Sequence, residues 1–215
     1  MNATCLFSLP RKKFHNSESF WSSLFAIQIV DTFRQGIKLH IPTFVYHEDG
    51  KRWLFELQKD NLELPSQLDF KSIVVEGKLG IDFFPGISDS LHKKFENLRP
   101  DITIFGNNSL TFIETKTVGA GIAPKEQLYF ELCEEFTKSR RINANTYLLL
   151  SAGHENAAQV RGLATSVWKR PPRLILWEQF FKAVERQVKN SLLSRLFPNL
   201  SQYYELEESY LSGNF

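Results

Sequence analysis

Cysteine is nearly absent. The 215-residue chain has two, Cys5 and Cys133, far apart and with no C-x-x-C spacing. That argues against a disulfide framework and a zinc site, and a reducing, intracellular compartment is expected. Long apolar runs are absent too. None approaches the ~18 consecutive apolar residues of a membrane span, so no membrane partner is expected. Met1 to Pro10 is only weakly apolar, and the basic residues Arg11, Lys12 and Lys13 follow it. A secretory signal has the reverse order, so a cytoplasmic protein is expected. There is no excess of either charge: the formal charge is +2 and the isoelectric point about 8.5. Any nucleic-acid contact therefore has to come from a local patch. No glycine-rich phosphate loop occurs, which argues against an ATPase. No nucleophile elbow surrounds Ser151 near His154, and His40, His47 and His92 lack metal-ligand spacing. Repeats and low-complexity linkers are missing, and the length fits a single domain.

The most informative stretch runs from Arg99 to Lys116. Ile102, Ile104 and Phe105, then Leu110, Phe112 and Ile113, are the apolar residues of two short strands. Gly106-Asn107-Asn108-Ser109 between them is hairpin chemistry, since Gly and Asn tolerate positive φ. A turn centred on Asn107-Asn108 sets Gly106 opposite Ser109, and stepping outward sets Asp101 opposite Glu114. Cross-strand partners have Cβ atoms roughly 5 Å apart. Lys116, two residues past Glu114, shares its face. Two carboxylates that close repel unless neutralised. A divalent cation does this, and Mg²⁺ takes one or two protein carboxylates while leaving positions for water and phosphate. A lysine beside it would orient an attacking water or stabilise charge developing on phosphorus.

Around this hairpin the patterning alternates. Asn16-Ser17-Glu18 starts a helix running to about Arg34 and stopping at Gly36, with Phe20, Trp21, Leu24, Phe25, Ile27, Ile29 and Phe33 as a broad core face. Strands are predicted at Ile41 to His47 and Lys51 to Leu57, joined at Glu48-Asp49-Gly50. From Leu64 to Ile81, the β-branched run Ile73-Val74-Val75 favours a strand, while Ser66 and the apolar spacing allow a helix. Leu91 to Phe95 reads as a short strand or helical turn. Lys125 to Arg140 is a helix with Leu128, Leu132 and Phe136 as its buried stripe. Thr146 to Ser151 reads as a central strand buried on both faces. A helix at Glu155 to Trp168, a strand at Arg173 to Trp177 and a long helix at Glu178 to Leu196 follow, before a tail ending at Phe215. The expected fold is α/β, a mixed central sheet flanked by helices. The single domain divides into an N-terminal helix and hairpin (about 16–60), a core (about 66–180) and a C-terminal helix and tail (178–215).

Pro100-Asp101, twelve residues, then Glu114-Thr115-Lys116, followed by a helix and an apolar strand, resembles the PD-(D/E)XK nuclease superfamily. The resemblance spans about Glu76 to Ser151. It implies a restriction-endonuclease-like core and phosphodiester hydrolysis assisted by Mg²⁺, with Mn²⁺ able to substitute. Asp101 and Glu114 look like the metal-binding carboxylates, the Thr115 carbonyl a further ligand, and Lys116 the catalytic lysine. Many members carry a glutamate upstream of the motif. Glu76 is the first candidate for it here and Glu18 the second. Gln127 is similar to an auxiliary glutamine on the following helix, although Glu131 stands where that pattern has tyrosine. Arg99, Lys125, Arg140 and Arg141 are candidates for holding nucleic acid, with Lys138, Arg161, Lys169, Arg170 and Arg173 beyond them. The implied activity is an endonuclease, DNA favoured over RNA, in a defence, mobile-element or repair setting, acting alone, as a homodimer or with a partner protein. The alternative is a nuclease-like binding or assembly subunit of a larger nucleic-acid complex.

Overall fold

The computed structural model describes residues 18–49, 52–66, 72–77, 93, 96–116, 126–140, 142–150 and 173–196. Its elements are α1 (Glu18–Arg34), β1 (Pro42–Asp49), β2 (Arg52–Asn61), β3 (Ile73–Val75), β4 (Ile102–Phe105), β5 (Ser109–Thr115), α2 (Glu126–Arg140), β6 (Asn143–Leu150), β7 (Arg173–Leu176), α3 (Trp177–Gln187) and α4 (Leu192–Leu196). The strands form one seven-stranded mixed sheet in the order β2-β1-β7-β6-β5-β4-β3. Its middle, β5-β6-β7, is parallel, and the remaining pairs are antiparallel. Parallel strands need cover on both faces. Leu148, Leu149, Leu174, Ile175 and Leu176 are accordingly buried throughout.

Each face has its own core. On one, α1, α3 and α4 pack over Ile102, Ile104, Ile113, Tyr147 and Leu149. An aromatic cluster ties α1 to α3, with the Trp21 and Trp177 rings 5.4 Å apart and Phe25 against Phe180 at 4.5 Å. On the other face, Tyr129, Leu132, Cys133 and Phe136 of α2 meet Leu110 and Phe112. The alternation along β5 sends Ile113 to the α1 side and Phe112 to the α2 side. The α2 stripe expected from Leu128, Leu132 and Phe136 is therefore present, widened by Tyr129 and Cys133.

Two elements differ from the sequence expectation. First, α1 is apolar nearly all round, and Phe20 and Ile27, expected in the core, are 37% and 41% exposed. The polar residues Ser22, Gln28 and Thr32 are buried instead. Second, the final helix is not continuous from Glu178 to Leu196. Val188 is extended, and α4 restarts after Ser191, whose Oγ accepts the Ser194 N–H at 2.8 Å. That is an N-cap, and Asn190-Ser191 was its signal. The run Ile73-Val74-Val75, where a strand was favoured, is the strand β3, paired with β4. The positions expected at Leu91 to Phe95, the helix at Glu155 to Trp168 and the tail lie outside the described residues, apart from Lys93. Among those described, no helix is long and apolar enough to cross a membrane.

α1 ends as its sequence dictates. Gly36 sits at φ +72°, with Ile37 N–H donating to Thr32 O and Gly36 N–H to Phe33 O, a Schellman stop. A buried polar latch joins α1 to α4. Gln28 Nε2 donates to Thr32 Oγ1, and Gln28 Oε1 accepts the Leu193 N–H, each at 2.9 Å. That N–H is one of the orphan donors of a helix start. Gln28→Leu would strand it, and an unfolding free energy lower by about 1–3 kcal/mol in urea titration is expected. An unchanged midpoint would show that the latch carries no stability.

Candidate active site

The hairpin has the register that its turn requires. Ile102 pairs with Ile113 and Phe105 with Leu110, and Gly106 N–H closes on Ser109 O at 2.8 Å. One step past the last pair are Asp101 and Glu114. The ladder extends to the neighbouring strand as well, since Val75 pairs with Ile102 and Glu76 N–H donates to Asp101 O at 2.9 Å. Glu76, Asp101 and Glu114 thus stand side by side at the ends of three adjacent strands.

At this end the chain is buried and charged at once. Glu114 and Lys116 are 2% and 3% exposed, with Lys116 Nζ 3.0 Å from Glu114 Oε1. The Thr115 N–H donates to Asp101 Oδ2 at 2.6 Å, so the second strand of the hairpin holds the aspartate of the first. Lys116 is fixed through its backbone: its N–H donates to Leu149 O at 2.7 Å, and Trp177 Nε1–H donates to its carbonyl at 3.4 Å. Burial, then the Glu114 carboxylate, push the Asp101 carboxyl up to about 7. Glu18 pushes the same way, while the Thr115 N–H and the Lys116 ammonium oppose the rise.

Glu18 reaches this site from the first turn of α1. Ser22, one turn on, lies 2.9 Å from both Glu18 O and Thr115 Oγ1 through its hydroxyl. One hydroxyl proton serves one of these acceptors, and the Thr115 hydroxyl can supply the other bond. Ser19 Oγ donates to Glu76 Oε1. Glu76 itself is not on a helix; it follows β3 with φ +51°. Of the two upstream glutamates, Glu18 is the one that lies on a helix.

The basic candidates are dispersed. Arg99 is exposed two residues before Asp101. Gln127 and Arg140 lie within α2. Arg140 stands three residues before Asn143, which pairs with Ser109 at the turn end of the hairpin. The carboxylates are at the other end of β5, about 20 Å away at the usual rise per residue. The structure thus does not bring Arg140 to the acidic cluster. Lys138 is exposed and 3.6 Å from Glu134, and Arg173 donates to Asn145 Oδ1 at 2.8 Å. Lys125 and Arg141, with Arg161, Lys169 and Arg170, lie outside the described residues. A cavity of about 1010 Å³ opens at the turn end, lined by Phe33, Ile37, His40, Asn61, Asn108 and Asn143 among others. It is remote from the carboxylates.

Sequence reasoning did not find Ser19, Ser22 or Trp177. The serines carried a faint signal, as hydroxyls within an otherwise apolar helix. Trp177 carried none. Among the described residues, no group of three or more His, Cys, Asp or Glu side chains is drawn together closely enough to hold a metal ion. The hard oxygen donors present are the Asp101 and Glu114 carboxylates and the Thr115 carbonyl. That set suits Mg²⁺, which keeps several of its waters. A cation there would also offset the Glu114 charge, which adds to the effect of burial in raising the Asp101 carboxyl. Comparison of the chain with protein-family models, characterised proteins and solved structures gives no match.

Proposed function

We propose that this protein is a Mg²⁺-dependent nuclease with a restriction-endonuclease-like core, hydrolysing phosphodiester bonds, with DNA favoured over RNA. One observation carries the reading: the half-buried Asp101 stands in register with the buried Glu114 and Lys116 at the ends of paired strands. Two opposed carboxylates, one of them buried, are costly to keep in a fold that does not use them.

In this reading Asp101 and Glu114, with the Thr115 carbonyl, hold the cation, and Mn²⁺ substitutes for Mg²⁺. Bound there, the cation would supply charge neutralisation and polarisation of the phosphate. The chain does the rest. The Thr115 N–H orients the Asp101 carboxylate. Lys116, steadied by Glu114, positions the attacking water and stabilises charge building on phosphorus. The water oxygen bonds to phosphorus as the bond to the 3′ oxygen breaks. Glu18 adds a third negative charge from α1, and would help to hold a cation beside Asp101. Arg99, exposed two residues before Asp101, would meet a phosphate of the substrate strand.

The test is incubation with single- and double-stranded DNA and RNA in Mg²⁺, Mn²⁺ or EDTA, beside Asp101→Ala. Cleavage of DNA is expected with either cation and none with EDTA. Cleavage that persists in EDTA or in Asp101→Ala would sink the metal mechanism. Binding of nucleic acid without cleavage of any substrate would favour the assembly-subunit reading.

A further inference from the structure

Glu76 is the one non-glycine residue with positive φ among those described, at +51°. Left-handed backbone disfavours any residue with a Cβ, and glutamate lacks the short polar side chain that lets asparagine occupy it. Glycine would suit the position, and the next residue is Gly77, where an added Cβ would run into the Val74 side chain. The chain thus keeps a glutamate where glycine fits the backbone better. Such outliers persist where the surrounding structure requires the side chain.

The side chain has a defined task. Glu76 N–H is bonded to Asp101 O, which fixes its backbone beside the carboxylates. Its carboxylate, however, is engaged by Ser19 Oγ on the first turn of α1. The charges that bear on Asp101 are those of Glu114, Lys116 and Glu18. Glu18 is the neighbour of Ser19. The first turn of α1 is therefore fastened at two points to the strand ends that form the site: Ser19 to Glu76, and Ser22 to Thr115.

We propose that Glu76 is a positioning residue: through Ser19 it clips the first turn of α1 to the end of β3, and so sets Glu18 facing Asp101 beside the cation site. The clip itself is a feature of the fold. Its consequence for cation binding rests on the nuclease reading above. Outer partners of metal ligands commonly change affinity by 10–100-fold when removed, and a residue of this kind belongs among them.

The full-length protein provides the test, with three variants. Glu76→Gln keeps the acceptor for Ser19 and removes the charge. Glu76→Gly removes the side chain and suits the backbone, so the variant folds. Ser19→Ala removes the donor. The first readout is amide hydrogen exchange at Ser22 and Ser23 without any cation. Protection should fall about tenfold in Glu76→Gly and in Ser19→Ala, fall no further in the double variant, and stay unchanged in Glu76→Gln. The second is Mn²⁺ affinity by calorimetry. It should weaken about tenfold in Glu76→Gly and in Ser19→Ala, and stay within about twofold of wild type in Glu76→Gln. Unchanged protection in Glu76→Gly overturns the clip. A Glu76→Gln variant that loses Mn²⁺ as completely as Asp101→Asn makes Glu76 a direct ligand and overturns the positioning role. Loss of protection in a protein that binds no Mn²⁺ at all overturns the nuclease reading, and with it the cation half of the proposal.

Discussion

Asp101→Asn is expected to make the cation-free protein more stable at pH 8 while abolishing cleavage. The folded protein holds the Asp101 proton up to about pH 7, against an ordinary value of 3.8. The folded state therefore binds this proton more tightly than the unfolded chain does. The cost of ionising it is absent below about pH 4, grows between pH 4 and 7, and is complete above. At pH 8 it amounts to on the order of 4 kcal/mol. Asparagine is neutral at every pH, and its amide oxygen can still accept the Thr115 N–H. Urea unfolding in EDTA should show the variant stabilised by roughly 2–4 kcal/mol at pH 8 and about equal to wild type at pH 4. Cleavage should fall about a thousandfold, as it does when a charge-stabilising group is removed. The pairing of greater stability with lost activity is characteristic of a strained functional site. Equal stability of the two proteins at both pH values would mean that Asp101 is not held against its own ionisation.

Lys116→Met should have the opposite effect on the fold. Lys116 and Glu114 are both almost fully buried and 3.0 Å apart. Methionine fills the space of the lysine stem, so the substitution removes the charge with little change in packing. Taking one partner from a buried ion pair costs about 3–5 kcal/mol, because the other charge remains in a medium that solvates it poorly. The variant should unfold at correspondingly lower urea and lose cleavage. Millimolar Mn²⁺ should restore part of the lost stability, since a cation at the carboxylates compensates for the missing ammonium. Glu114→Gln combined with Lys116→Met should regain most of the stability and remain inactive. If Lys116→Met alone is as stable as wild type, the pair is not the buried anchor of this site.

The central hairpin was legible because two independent constraints coincide there. The apolar alternation and the Gly106 to Ser109 turn leave a single register, and a one-residue slip would send every side chain to the wrong face. The register alone therefore sets Asp101 and Glu114 opposite one another. Legibility failed where signals were short or degenerate. Three residues of β3 carry no measurable period, so Glu76 was open to a helix and its left-handed backbone was invisible. Apolar residues nearly all round α1 hid which of them are exposed, so Phe20 and Ile27 read as core. The Ser191 cap was overlooked because the apolar spacing runs across it. The bonds from Ser19 and Ser22 join residues 57 and 93 positions apart. No local pattern in a single sequence announces pairings of that kind.

Calorimetric titration with Mn²⁺ at pH 8, on wild type and Asp101→Asn, tests most directly whether Asp101 and Glu114 share a divalent cation. Saturable binding to the wild type is expected, with one or two ions per chain, weakening at pH 6 where the ion must displace the Asp101 proton. Asp101→Asn should bind at least about a hundredfold more weakly. Equal binding by the two proteins, or none by the wild type, would contradict the account.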